Sequence, residues 1–210
     1  MSPTQPSLFQ DLPISPTPSG PFGNLEPYSF DLIMADPPWS FATYSDTGIT
    51  IKGASGQYRI MDIDDIKALP VWTLAAPDCI LWMWSTAPHL RQALDVMDAW
   101  RFEYSTCGSW AKRTKNGKLR WGTGYRLRST SEPFLIGTRG KPKNKRNVAS
   151  HIDGLAREHS RKPEAAFAAA EKLMPSARRL ELFSRQSRHG WSTWGDEAEK
   201  FDGIAGASPL

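Results

Sequence analysis

Asp36-Pro37-Pro38-Trp39 stands directly after the apolar run Phe30-Asp31-Leu32-Ile33-Met34-Ala35. A carboxylate and the Pro37 carbonyl then lie side by side at the mouth of a buried strand. Two adjacent acceptors suit the two hydrogens of an exocyclic amine, such as that of adenine. Residues before proline are biased to extended backbone, so Asp36 and Pro37 are both pre-set. Pro37 and Pro38 bring no competing N–H, and Trp39 offers a flat face for stacking. Methyl transfer to an aromatic amine needs such a device. The nitrogen lone pair is delocalised into the ring, and acceptors that hold both N–H groups favour the charge that develops on nitrogen. An ordinary strand ending at a proline turn, with Asp36 capping a loop, would use the same four residues.

A second constellation lies late in the chain. Lys162-Pro163-Glu164 opens a helix pattern, and Leu180-Glu181-Leu182-Phe183-Ser184-Arg185 reads as a buried strand running on to Gly190-Trp191 and Trp194-Gly195-Asp196-Glu197. A strand-end carboxylate at Glu181 suits the paired hydroxyls of a ribose. Lys162 at a helix start suits a ligand carboxylate. A solvated lysine and a strand-end ion pair are the plainer alternatives.

The elements that must position these groups follow from the pattern. Residues 1–27 hold seven prolines without periodicity and read as a disordered arm. Residues 28–200 form one domain, and 201–210 a flexible tail. Strands are expected over Tyr28–Ala35, Cys79–Ser85, Glu103–Ala111, Pro133–Thr138 and Ala177–Arg185. Helices are expected over Met61–Ala68, over His89–Trp100 with a stripe of Leu90, Ala93, Leu94 and Met97, and over Pro163–Met174, with Pro163 at its first position. Residues 39–60 form a long polar loop of the kind that closes over sites. Alternating strands and helices predict an α/β fold, a mixed, mostly parallel sheet with helices on both faces. Ligands of such sheets bind at the carboxyl ends of the strands, where Asp36 and Arg185 fall.

Charge points to the partner. From Lys112 to Arg185, 19 Lys and Arg face 6 Asp and Glu, a net +13, while the remainder carries −9. Aromatics interleave with the cations in Trp110-Ala111-Lys112-Arg113 and from Arg120 to Arg128. This pattern suits nucleic acid. The expected phosphate-tracking set is Lys112, Arg113, Lys118, Arg120, Trp121, Tyr125, Arg126, Lys141, Lys143, Lys145 and Arg146. Cys79 and Cys107 sit in strand-like segments and are expected as reduced core thiols, which fits a cytoplasmic protein. The four histidines share no ligand spacing with them, so no metal is expected. No stretch reaches membrane-span length.

Taken together, the segments resemble the catalytic subunit of the eukaryotic messenger-RNA adenosine N6-methyltransferase and its bacterial and phage relatives. The likeness covers roughly residues 28–197. It rests on Asp36-Pro37-Pro38-Trp39, Gln57-Tyr58, Gly122-Thr123-Gly124, Ser131-Glu132-Pro133 through Gly137, Ser160 to Pro163, Leu180 to Phe183 and Gly190-Trp191. The resemblance implies a Rossmann-like methyltransferase using S-adenosyl-L-methionine. By match, Asp36 and Pro37 hold the amine, beside the cofactor's methionine end. Trp39 walls the base, and Tyr58 closes its pocket. Lys162 binds the methionine carboxylate. Glu181 contacts the ribose, and Phe183, Arg185 and Gln186 line the adenosyl pocket. Asp196 stands where the family often has Asn, and Ser184 where it often has Gly, which puts contacts by Asp196 and Glu197 in question. The expected activity is adenine N6-methylation of nucleic acid, DNA before RNA, with a second copy of the chain as a candidate partner. The rival readings are an RNA enzyme, a nucleic-acid-binding subunit without turnover and a protein-amide methyltransferase.

Overall fold

The computed structural model describes residues 20–39, 61–124, 126–157 and 161–202. Its centre is a seven-stranded sheet in the order β5-β3-β4-β2-β1-β6-β7. The strands are β1 (Phe30–Ala35), β2 (Ala75–Trp84), β3 (Glu103–Arg113), β4 (Ser131–Arg139), β5 (His151–Leu155), β6 (Arg179–Leu182) and β7 (Trp191–Trp194). The pairings make β4 the one described strand that runs against the other six. Helices α1 (Ile63–Ala68) and α2 (Leu90–Ala99) cover one face, and α3 (Glu164–Leu173) covers the other.

Successive strand residues point to opposite faces, and the two cores divide accordingly. Ile33 and Ala35 of β1 pack with Ile66, Ala93, Val96 and Met97 on the α1/α2 side. Leu32 and Met34 pack with Trp82, Trp84, Phe134, Ala166, Phe167 and Ala170 on the α3 side. Both sides of the central strands are buried, which explains their unbroken apolar runs. Among the described residues no helix is long and apolar enough to cross a membrane.

Several expectations change. Two short strands, β5 and β7, extend the sheet at its edges. The strand expected over Glu103–Ala111 runs on to Arg113, because Lys112 and Arg113 pair with β5. On α2 the buried set is Ala93, Val96 and Met97, while Leu90 and Leu94 stay more than a third exposed. Pro163 is the residue before α3 rather than its first turn. Cys79 is buried as expected, but Cys107 is exposed. β5 pairs with Ser109–Arg113, so among the described residues the first half of β3 has β4 alone as a partner strand.

The arm does not reach residue 27. Phe22 is buried and meets Trp194 edge-on at 5.1 Å, the Trp194 indole N–H donates to the Pro21 carbonyl, and Glu26 pairs with Arg178. The tail is likewise attached through Phe201, which is buried and whose N–H donates to the Arg185 carbonyl. Residues 1–19 and 203–210 lie outside the described part, as do Tyr58, Tyr125 and nearly all of the long loop.

Candidate active site

Strand alternation builds the site. Asp36 continues the Met34 face of β1, and Glu181 pairs in register with Met34. On β4, Glu132 shares the face of Phe134. All three carboxylates therefore reach the α3 side at the same end of the sheet, where the six parallel strands end and β4 begins. The chain entering α3 supplies the cation.

That cation is Lys162. Its ammonium lies 2.9 Å from Asp36 Oδ1 and 2.5 Å from Glu132 Oε1, over the Trp84 ring at 5.3 Å. The other Glu132 oxygen takes Lys112 at 2.7 Å. Lys112, Glu132, Lys162 and Asp36 thus alternate in sign from the rim inward. Burial alone would lower the Lys162 pKa, but Asp36 and Glu132 override it and hold the ammonium above the ordinary lysine range. Burial alone would raise Glu132, yet Lys162 and Lys112 bring it below the usual carboxylate range. At Asp36 burial prevails over Lys162, with Glu132 adding to it, and the carboxyl is raised.

The Pro37 carbonyl accepts the Trp39 N–H at 2.8 Å, closing a tight turn around Pro38. A carbonyl has two lone pairs, and this bond uses one of them. Trp39 itself is only 4% exposed. Its indole N–H donates to the Trp84 carbonyl at 3.3 Å, and its ring stacks on His89 at 5.7 Å. It is a wall of the mouth rather than an open platform.

Beside Asp36 lies a pocket of about 400 Å3, counting the part open to solvent. Asp36, Lys162, Glu181, Phe183, Arg185 and Gln186, all named from the sequence, come together in its lining. Phe167, Phe201 and three further arginines, Arg157, Arg161 and Arg188, complete it. The Ser184 hydroxyl donates to Glu181 Oε2 at 3.0 Å. Burial nevertheless pushes the Glu181 carboxyl up to about 7, against Ser184 and Arg188. Phe183 adopts φ 60°, a conformation bulky residues rarely take. It turns the chain so that the Ser184 N–H donates to the Trp194 carbonyl at 2.9 Å. A Cβ at Gly195 would come within 2.9 Å of the Ser184 backbone, so only glycine fits beside this turn.

Other expected contacts fall differently. Lys162 is committed to two carboxylates rather than standing open to a third. Glu197 pairs with Arg185 at 2.7 Å and with Lys200, so it orients a pocket residue instead of lining the pocket. Asp196 is exposed and outside the lining. Glu164 ties Arg157 to Arg188 across the mouth. Glu132, Ser184, Arg157, Arg161 and Arg188 were not picked out as site residues. Glu132 had one visible signal, an acid next to the apolar run that becomes β4.

The basic set divides in two. Lys118, Arg120, Trp121 and Arg126 are exposed on the β3–β4 connection, at the Asp36 end of the sheet. Lys112 and Arg113 stand at its root but are spent on Glu132 and Asp153. Lys141, Lys143, Lys145 and Arg146 lie at the opposite end. They follow β4, which runs backwards. The Lys141 N–H donates to Asp78 near the start of β2, and the Lys145 N–H donates to Leu173 at the far end of α3. β2 spans ten residues, so the two groups are separated by about 30 Å of strand. The described members of the expected phosphate-tracking set are thus split between the two ends of the sheet.

The MT-A70 family profile matches residues 30–197, from the first residue of β1 to the Arg185 partner Glu197. The chain belongs to the MT-A70 family. Among its relatives is the type II methyltransferase M.MunI of Mycoplasma sp, 30% identical over 84% of this chain and 81% of that protein. The N(6)-adenosine-methyltransferase MT-A70-like of Arabidopsis thaliana is 30% identical over 80% of this chain. The N(6)-adenine-specific methyltransferase METTL4 of Homo sapiens is 27% identical over 84%. The chain spans only 24% and 39% of those two proteins. The seven-stranded sheet with β4 reversed is the Rossmann-like methyltransferase arrangement that family membership implies.

Proposed function

We propose that the protein transfers the methyl group of S-adenosyl-L-methionine to the exocyclic amine of adenine in nucleic acid, DNA in preference to RNA. The observation that carries this is the placement of Asp36. It lines a pocket together with Glu181, and the Pro37 carbonyl follows it in the chain. Acceptors for an amine and the lining of the cleft share one residue.

The pocket's chemistry fits the cofactor. Glu181 suits the ribose hydroxyls, Phe183 suits the adenine ring, and the arginine group at 157, 161, 185 and 188 suits the methionine carboxylate. When bound, the cofactor supplies an electrophilic methyl on a sulfonium. The protein's own work is alignment and electrostatics. Asp36 and the Pro37 carbonyl hold the amine hydrogens, and Trp39 limits where the base can lie. Lys162 fixes the Asp36 carboxylate in one orientation. After transfer the methylated nitrogen is acidic, and Asp36 is placed to take or relay its proton.

DNA is favoured because similarity to the bacterial type II methyltransferase extends over most of both chains, whereas only a fraction of the plant adenosine methyltransferase is covered. The test is labelled S-adenosyl-L-methionine with matched DNA and RNA oligonucleotides, followed by digestion and nucleoside analysis. N6-methyladenine in DNA is the expected product. Preference for RNA would overturn the polymer, and label on another atom would overturn the activity.

A further inference from the structure

Two of the most exposed large apolar side chains in the described structure lie on one short segment. Trp121 is 64% exposed and Leu127 is 86% exposed. Both belong to the β3–β4 connection, residues 114–130, which leaves and re-enters the sheet at the Asp36 end. Lys112 at its root is three ion pairs from Asp36, through Glu132 and Lys162.

The connection is held by its own hydrogen bonds. The Arg120 N–H donates to Lys112 at 2.7 Å, the Gly122 N–H to Ser129 at 2.6 Å, the Ser129 N–H to Thr123 at 3.2 Å, and the Arg128 side chain to the Gly122 carbonyl at 2.7 Å. A Cβ at Gly124 would come within 2.0 Å of the Leu127 carbonyl, so the backbone crosses itself where only glycine passes. Arg128 lies over the Trp121 ring at 5.9 Å. The result is a braced arm that presents two apolar side chains to solvent.

Its charge names the occupant. Residues 114–130 carry five Lys and Arg and no Asp or Glu. Protein interfaces are depleted of charge at their cores, whereas a cationic arm with apolar tips matches the phosphates and stacked bases of nucleic acid. The amine of an adenine in a duplex is paired and stacked, out of reach of an acceptor held inside a protein. A duplex target must be extruded, and unstacking has a cost that inserted side chains offset.

We propose that Trp121 and Leu127 form a wedge that enters the base stack of duplex DNA and occupies the gap left by the extruded adenine. This rests on the adenine-methyltransferase function above. The test uses wild type and the W121A/L127A variant with mixed-sequence DNA, given as single strand, as full duplex and as a duplex with an internal unpaired bubble. The variant should lose about tenfold or more on the full duplex, as loss of a base stack implies. It should lose markedly less on the single strand, and on the bubble its loss should fall to the single-strand level. Equal losses on all three substrates would overturn the wedge, as would a wild type that methylates single strands but not duplex. So would light scattering that shows a wild-type dimer dissolved by the same substitutions, since the pair would then be a protein contact. Turnover on none of the three, by folded and cofactor-binding wild type, would instead fell the underlying activity.

Discussion

Lys162 and Asp36 form a buried ion pair at 2.9 Å, with the lysine side chain only 8% exposed. A cation inserted beside the acceptor restrains the carboxylate without neutralising it. The pair also separates what Asp36 does in folding from what it does in turnover.

Asp36→Asn keeps size and one acceptor but removes the charge. It should fold and bind S-adenosyl-L-methionine, yet lose about 10²–10³-fold in methyl transfer, the scale on which one preorganised electrostatic contact acts. Single-turnover assays with saturating cofactor measure this. Near wild-type rates in both Asp36→Asn and Asp36→Ala would remove Asp36 from the chemistry.

Lys162→Met should cost about 3 kcal/mol, because two buried carboxylates lose their shared partner. Urea unfolding checks the value. Adding Glu132→Gln to Lys162→Met should recover part of it, since one of the orphaned charges is then gone. A double variant less stable than the single would contradict the ion-pair arrangement.

Glu181 should make the cofactor-free protein less stable as pH rises from 4.5 to 7. Its folded carboxyl is raised to about 7 by burial from a usual value of 4.5. Between those values the folded state holds a proton that the unfolded chain has released, so deprotonation draws the equilibrium towards unfolding. Thermal melts of wild type and Glu181→Gln should coincide near pH 4.5, and the variant's Tm should be the higher at pH 8. Parallel Tm profiles across this window would show that Glu181 is not buried as described.

The two basic groups should separate in binding. Replacing Lys118, Arg120 and Arg126 with Gln should weaken DNA binding and flatten the plot of log affinity against log salt by about 2–3. The same change at Lys141, Lys143 and Lys145 should leave methylation and the slope unaltered. The reverse result would put the nucleic acid at the wrong end of the sheet.

Deleting residues 2–19 should leave Tm nearly unchanged, whereas Phe22→Ala should cost about 2–3 kcal/mol by opening a hole against Trp194. Calorimetry of both variants checks the boundary of the attached segment.

The grouping of Asp36 to Trp39 and of Glu181 to Gln186 was legible because the members of each are neighbours in the chain. Asp36 to Trp39 follow one apolar strand, and Glu181 to Gln186 follow another. Glu132 was not legible as a site residue, because its meaning comes from α3, which brings Lys162 to it across 30 positions. The position of Lys141 to Arg146 was not legible for a topological reason. Nothing in the alternation of Phe134 to Thr138 says that β4 runs backwards, and that reversal alone carries the following segment away from Asp36. β5 and β7 are four or five residues long, too short for a period to stand out from their surroundings. Phe22 lay among prolines, where a single aromatic carries no pattern.

The reversal of β4 has one more consequence. A strand that returns beside its predecessor needs only a hairpin, not a helix laid across the sheet. Both feet of the 114–130 segment are therefore planted at one place, and its length can change without moving any other element. It behaves as an exchangeable cassette set beside a fixed chemical centre. Grafting a relative's hairpin between Arg113 and Ser131 is the economical way to retune which sequences are modified while leaving the methyl-transfer machinery untouched.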